Sequence, residues 1–508
     1  MSVRAAILLE QRTRTKGKSR TEIQQLIGES NSEILSVESQ IADLESRLAS
    51  LVERRDREIL VVDALRHLIS PIQLPVELLV RIFGFAISKE QHLGRYAHFQ
   101  DAYRVSHVSS HWRAISFGTP RLWTGPVGVD LRVDGDADGL KAWLSRSAPM
   151  SVPILLTEFP EEDVAHRVLE ELLSISSRWS SLCLYRSAPA WFFMRLAVGH
   201  TFESLEEVDL GPSHVDGTSA LPIFGATPLL RKLSFTPTSR LNMPWTQLRD
   251  LTLRTSTATD ISLEILAQCV NLVTASVDTF MWTLVAPSRM VTLPHLRIFE
   301  IDGGYETHFM SFLDSLSAPA LTSLVLYFGS RCPWSASAFT AFQLRSPHLT
   351  SLKLCHAFLT PDALIAALLY APLLNYLTLD FCMDCIDDAL LRALHYERGL
   401  KPLVPRLRDL RLRGISPTRV SENILAGLIA SRWWTDAEEE SGTAPADIAR
   451  WERVELRVET PSAPFSESFE DIIENLKRSG LHTKQELRTE GEPGSRSHIY
   501  GIVFLARI

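Results

Sequence analysis

The sequence predicts an α/β chain in which a long helix and a small helical hairpin precede a solenoid of parallel strands. Three observations predict it. An L-x-x-L-x-L pattern, with conservative replacements, begins at eleven places between Trp179 and Trp451. Proline stands two residues before the first apolar residue in six of them. Apolar residues between Ile23 and Leu51 repeat with a mean spacing of 3.5 residues.

The chain has 508 residues, of which 45% are hydrophobic and 22% charged, an ordinary composition for a folded chain with a large core. Its net charge of −8 argues against wholesale nucleic-acid binding, which needs a basic footprint. The longest apolar run, 363–374, contains Pro372 and falls short of the roughly 18 residues of a membrane span. The amino end offers too short an apolar stretch for a signal-peptide core. Six scattered cysteines are too sparse for a disulfide scaffold. A reducing compartment, cytoplasm or nucleus, is therefore expected.

Residues 1–21 carry Arg12, Arg14, Lys16, Lys18 and Arg20 and read as a solvated, disordered basic tail. Gly17-Lys18-Ser19 is not a phosphate loop, because Arg12 stands where that motif needs glycine. Over 22–68 a coiled-coil helix is expected. Ile23, Ile27, Ser30, Ile34, Val37, Ile41, Leu44, Leu48 and Leu51 alternate steps of four and three. The seam over residues 23–51 suits pairing of two copies; a helix folded back on its own chain fits the same pattern.

Residues 69–123 predict a hairpin. Leu74-Pro75 opens a helix on which Leu78, Leu79, Ile82 and Phe83 recur at helical spacing. Val105, Val108, Trp112 and Ile115 fall on one face of a second helix, and Thr119-Pro120-Arg121-Leu122-Trp123 follows. Residues 124–178 read as a transition or first irregular repeat. The repeats occupy 179–458, with a polar surface insertion at 435–450. Successive repeats begin 26, 25, 18, 24, 24, 25, 28, 25, 33 and 44 residues apart, mostly within the range of leucine-rich repeats. The alternation x-L-x-L is that of a strand with one buried face. Helical stretches at 263–269, 307–316, 362–370, 388–396 and 422–430 lie between strands. Pro228, Pro294, Pro319, Pro347, Pro372 and Pro405 are expected to stop each preceding helix. Residues 459–508 read as a cap, with a helix at 469–476 and a closing strand at 499–505.

The order LPxELLxxIF, then VSxVSxxWRxIxxxTPxLW, resembles the F-box of fungal F-box-like proteins. The repeats resemble the leucine-rich repeats often found behind F-boxes. The stretch 84–103 between the two motifs is longer than usual in the family, and His107 and Ser109 stand where many members carry other residues. The resemblance implies a substrate-recognition subunit of an SCF-type cullin–RING ubiquitin ligase. It implies that Leu74, Pro75, Leu78, Ile82, Phe83, Val105, Val108 and Trp112 contact a Skp-type adaptor, while the repeats hold an unknown target protein. The alternative reading is a non-enzymatic repeat scaffold that recruits no ligase. A weaker one, resting on the basic tail and coiled coil, is a nucleic-acid-associated factor.

No catalytic constellation appears among the residues, so no enzymatic activity, cofactor or metal is expected. Cys382-Met383-Asp384-Cys385 is the only close cysteine pair. It directly follows a repeat strand, where small buried residues fill a turn, so it reads as packing. Target contact is expected on outward strand positions, with Arg231, Lys232, Arg249, Tyr376, Arg408, Arg411 and Arg413 as candidates. The last cluster looks basic enough to attract an acidic or phosphorylated partner.

Overall fold

A computed structural model describes all residues except 1–2, 70–73, 88–96, 133–136, 162–166, 215–223, 238–242, 255–258, 280–289, 304–308, 330–331, 383, 417, 459–464, 479 and 487–508. The chain divides into two compact units. The first is Met1–Ala86 with Val105–Ser116, and the second is Ile87–Arg104 with Phe117–Ile508.

The first unit is helical. The expected disordered tail instead forms helix α1, Val3–Arg14. Its Ala5, Ala6, Leu8, Leu9 and arginines are strong helix formers, and their intrinsic preference outweighs the charge. Helix α2, Arg20–Ile69, is a single run of 50 residues. Ser19 caps it reciprocally: Glu22 accepts from the Ser19 N–H at 2.6 Å, and Ser19 Oγ accepts from the Glu22 N–H at 3.4 Å. The Glu22 carboxyl is accordingly held below its ordinary range by hydrogen bonds from the Ser19 backbone and side chain. Helix α3, Val76–Ala86, starts directly after Pro75, whose carbonyl accepts from Leu78 and Leu79.

The second helix of the expected hairpin is broken in two. Helix α4 spans Ala97–His107 and helix α5 Ser110–Phe117. The break has a local cause: Ser109 Oγ accepts from the Trp112 N–H at 3.1 Å, an N-cap that starts a new helix. Val105 and Trp112 therefore sit on different helices, with Val108 between them.

The second unit is built on fourteen parallel strands among the described residues. They are β1 (Val127–Asp130), β2 (Val152–Glu158), β3 (Trp179–Leu184), β4 (Glu207–His214), β5 (Lys232–Thr236), β6 (Asp250–Leu253) and β7 (Thr274–Asp278). After the short β8 (Val291–Thr292) come β9 (Ile298–Asp302), the short β10 (Leu316–Ser317), β11 (Ser323–Tyr327), β12 (Ser351–Cys355) and β13 (Tyr376–Asp380). Then follow β14 (Asp409–Ile415), β15 (Arg453–Val458) and β16 (His482–Glu486). Sheet order is chain order; β8 and β10 pair only with each other. All eleven apolar starts read from the sequence mark a strand of the large sheet: Trp179 opens β3, and the other ten stand two residues before theirs. The region read as a transition supplies its first two strands, and β16 follows the helix Glu467–Arg478. The strand expected at 499–505 lies outside the described residues.

The repeated leucines dictate the register. Leu324, Leu352, Leu377, Leu410 and Val454 stand side by side on successive strands, as do Leu326, Leu354, Leu379, Leu412 and Leu456. These rows are buried. A one-residue slip would turn every leucine to the polar face, so the pattern admits one register. The prolines do more than stop helices. Leu230, Leu296, Leu321, Leu374 and Leu407 each donate to the carbonyl three residues back, which puts the proline at the second position of a tight turn. Proline's fixed φ suits that position.

Trp123, from the Pro120–Trp123 turn, packs at the start of this unit against Trp143 at 4.9 Å and Tyr103 at 5.7 Å. The Arg146 guanidinium lies 4.1 Å from the Phe117 ring centroid and 4.8 Å from that of Trp123. The cluster joins aromatic rings edge to face and places a cation against them.

Candidate functional site

The hairpin helix α3 carries two apolar stripes rather than one. Leu79 and Phe83, four residues apart, are fully buried. Phe83 lies against the half-buried Trp112, ring centroids 4.7 Å apart. Val105 and Ile115 are also buried. On the other stripe Leu78 and Ile82 are each 44% exposed, and Phe85 is 91% exposed. Pro75 is exposed, Leu74 is half-buried, and Val108, between α4 and α5, is 61% exposed.

Seven of the eight residues assigned to adaptor contact fall into two sets, and the half-buried Leu74 belongs to neither. Phe83 and Trp112 pack α3 against α5, and Val105 is buried. Pro75, Leu78, Ile82 and Val108 leave apolar surface open. Phe85 was missed by the sequence reading, although its spacing shows it: 78, 82 and 85 follow the i, i+4, i+7 rule of one helix face. The outward stripe was obscured because α3 is apolar on both sides.

The second candidate surface is the polar face of the large sheet. The arginines of β14 and its approach do not stand free there. Arg408 pairs with Glu452 at 2.6 Å. Arg411 donates through Nε and Nη2 to both oxygens of Asp409, each at 2.8 Å. Arg413 pairs with Glu455 at 2.7 Å and Asp380 at 3.4 Å, and Arg453 also reaches Glu455, at 2.8 Å. Burial pushes the Glu455 carboxyl up, but hydrogen bonding and charge from Arg413, Arg453 and Arg411 outweigh it and hold it below the ordinary range.

The expectation that this cluster attracts an acidic partner is therefore corrected: its own carboxylates already occupy the guanidinium forks. Asp380 and Glu455 come from neighbouring strands, so the spacing around Arg411 and Arg413 gave no sign of them. Lys232 is likewise paired, with Glu207 at 2.9 Å. Tyr376 is 46% exposed. Arg231 and Arg249 are exposed and line a cleft of about 740 Å³ together with Arg297, which the sequence reading did not single out.

Deeper in the face, Asp209 and Arg254 form an ion pair at 2.8 Å with both side chains largely buried. Arg254 Nε also donates to Ser234 Oγ, and Asp209 accepts from the Gly211 N–H. Burial raises the Asp209 carboxyl pKa despite the opposing pull of Arg254 and Gly211. Cys382 and Cys385 are buried free thiols whose Sγ atoms donate to the Leu354 and Cys382 carbonyls. Among the described residues no group of acidic, histidine or cysteine side chains is arranged to hold a metal, and no helix is long and apolar enough to cross a membrane.

Residues 72–127 match the family described as F-box-like. This stretch is an F-box-like domain. After that domain in the chain, the strand–helix repeats and their fourteen-stranded parallel sheet form a leucine-rich-repeat solenoid. Among solved structures, the leucine-rich-repeat-containing protein LegL7 from Legionella pneumophila is similar at 12% identity and a TM-score of 0.31, over 54% of this chain and 91% of that one. TLR13, in its complex with ssRNA13, is similar at 12% identity and a TM-score of 0.32, over 72% of this chain and 62% of that one. No curated protein matches the chain. An F-box-like domain joined to such repeats makes this a protein-interaction molecule.

Proposed function

We propose that the chain is the target-binding subunit of an SCF-type cullin–RING ubiquitin ligase. In this reading the F-box-like domain docks a Skp-type adaptor and the repeats hold a protein marked for ubiquitin conjugation. The observation that carries it is the uncovered stripe of Pro75, Leu78, Ile82 and Phe85 on a helix whose opposite stripe is already buried. An exposed apolar row of this kind indicates a docking surface. The subunit itself performs no bond chemistry. It raises the local concentration of the target beside ubiquitin-transferring subunits, an effect of proximity alone.

Helix α2 adds a second contact. Its seam residues Ile27, Ile34, Val37, Ile41, Leu44, Leu48 and Leu51 are all exposed, and pairing two copies would cover them.

Binding of the full chain to a purified Skp-type adaptor tests the first contact. Leu78→Asp, Ile82→Asp and Val108→Asp should each weaken binding by about tenfold or more, since each places a charge in an apolar contact. Unchanged binding by all three would remove the assigned surface. Absence of any binding by the wild-type chain would favour a repeat scaffold without ligase recruitment.

A further inference from the structure

The geometry points to a binding site on the second unit for an extended acidic peptide, its phosphate or carboxylate groups seated on Arg231, Arg249 and Arg297. This deepens the proposed function, because it assigns the chemistry by which the repeats would grip a target.

Arg231, Arg249, Val273 and Arg297 occupy the same position in four successive repeats, immediately after the first apolar residue. The backbone locks them in a row. The carbonyl of Arg231 accepts from the N–H groups of Arg249 and Asp250, that of Arg249 from Val273 and Thr274, and that of Val273 from Arg297 and Ile298. Rungs of a parallel sheet lie about 4.8 Å apart, so the row spans about 14 Å. All three arginines and His295 line the cleft of about 740 Å³. Among the described residues no carboxylate pairs with any of the three guanidinium groups. Glu206 holds the equivalent position one rung earlier and Asp250 follows Arg249 in the chain, and neither pairs with the row.

The cleft floor is fixed before any ligand arrives. Gln247 Nε2 donates to the Thr227 and Leu230 carbonyls, and Asn271 Nδ2 donates to the Thr246 carbonyl at 2.7 Å. This floor need not be ordered on binding; only the exposed arginines above it lose freedom.

Three unpaired guanidinium forks over this distance match an anionic ligand with several charges, since each fork takes one carboxylate or phosphate bidentately. The row is too short for the footprint of a nucleic-acid groove, and the cleft lining holds no phenylalanine, tyrosine or tryptophan on which bases would stack. In an extended peptide alternate residues lie about 7 Å apart on one side, a spacing that places successive charges within reach of successive arginines.

The test uses the full chain and short fluorescein-labelled peptides read by fluorescence anisotropy. One peptide carries phosphoserine on alternate residues, and the others carry glutamate or serine there. The phosphoserine peptide should bind, the glutamate peptide more weakly, and the serine peptide not at all. Arg231→Ala with Arg249→Ala should weaken phosphopeptide binding by about a hundredfold, roughly tenfold for each charge-assisted contact. Arg408→Ala, which removes an arginine already paired, should leave binding unchanged.

Val273→Arg fills the gap in the row and should tighten binding, a gain that a misfolded variant would not mimic. Failure of both acidic peptides to bind would overturn the proposal. So would equal binding by the double variant, no gain in Val273→Arg, or inorganic phosphate binding as tightly as the phosphopeptide. Tighter binding of a single-stranded RNA, lost in the double variant, would reassign the row to nucleic acid. The adaptor takes no part in this assay, so loss of adaptor binding and loss of peptide binding report separately on the two readings.

Discussion

Replacing Arg254 by methionine removes one partner of a buried ion pair and keeps the length of the side chain. In the wild-type chain Arg254 meets Asp209 at 2.8 Å, with side-chain exposures of 15% and 8%. Without it Asp209 keeps the Gly211 N–H at 2.9 Å, and Ser234 Oγ loses a donor. Stranding a buried carboxylate in this way costs about 3 kcal/mol at neutral pH. That is a large part of a typical stability of about 5–15 kcal/mol, and for a unit of this size, where the urea dependence is steep, it should lower the urea midpoint by up to about 1 M.

The sign of the pH dependence follows from the carboxyl group. Burial already raises its pKa in the folded state, and Arg254 opposes that rise. Removing Arg254 raises it further. A folded-state pKa above the unfolded value means that the folded state binds the proton more readily. Acidification through the raised pKa, towards the unfolded value of about 3.9, therefore restores stability. The deficit of Arg254→Met relative to wild type should shrink between neutral pH and about pH 5. Adding Asp209→Asn should recover most of it at neutral pH. Urea titrations followed by tryptophan fluorescence measure both. A deficit that is the same at both pH values, or a double variant no more stable than the single, would refute the reasoning.

Three further outcomes are expected. Phe83→Ala should destabilise the first unit by about 3–5 kcal/mol, because it empties a fully buried site and removes the Trp112 contact; Phe85→Ala, at an exposed position, should leave the thermal midpoint nearly unchanged. Gly211→Ala should strongly destabilise the second unit, since φ is +58° and a Cβ there would collide with the Leu184 carbonyl oxygen, whereas Gly442→Ala, with open space around it, should cost about 1 kcal/mol in chemical denaturation. If two copies pair through α2, charge favours the antiparallel arrangement: a parallel pair sets Glu33 against Glu38 of the other copy, an antiparallel one sets Glu33 against Arg47. Glu33→Arg should then weaken the dimer by about tenfold in analytical ultracentrifugation, with Arg47→Glu restoring it, and a tighter Glu33→Arg dimer would instead indicate parallel helices.

Much of the second unit was legible because its leucines repeat. Leu374, Leu377 and Leu379 mark one rung without reference to any other part of the chain, and period two assigns their face. The long helix was legible for the same reason. The hairpin was legible only in part. Spacing places Val105 and Trp112 on one helical face, but Ser109 ends that regularity by capping a new helix. The expected disordered tail is helical over Val3–Arg14 because helix propensity there outweighs charge.

What the sequence by itself determined is therefore whatever depends on local periodicity: the strands, their register, the turns set by proline, and the long α2 helix. Only the tertiary structure decided which charges are available. Arg413 looks open along the chain but is neutralised by Asp380 and Glu455 from neighbouring strands. Arg231, Arg249 and Arg297 lie far apart in the chain and become one row only when the rungs stack. The physical reason is range: periodicity is set by neighbours a few residues away, whereas a charge is free or paired according to groups that folding brings beside it.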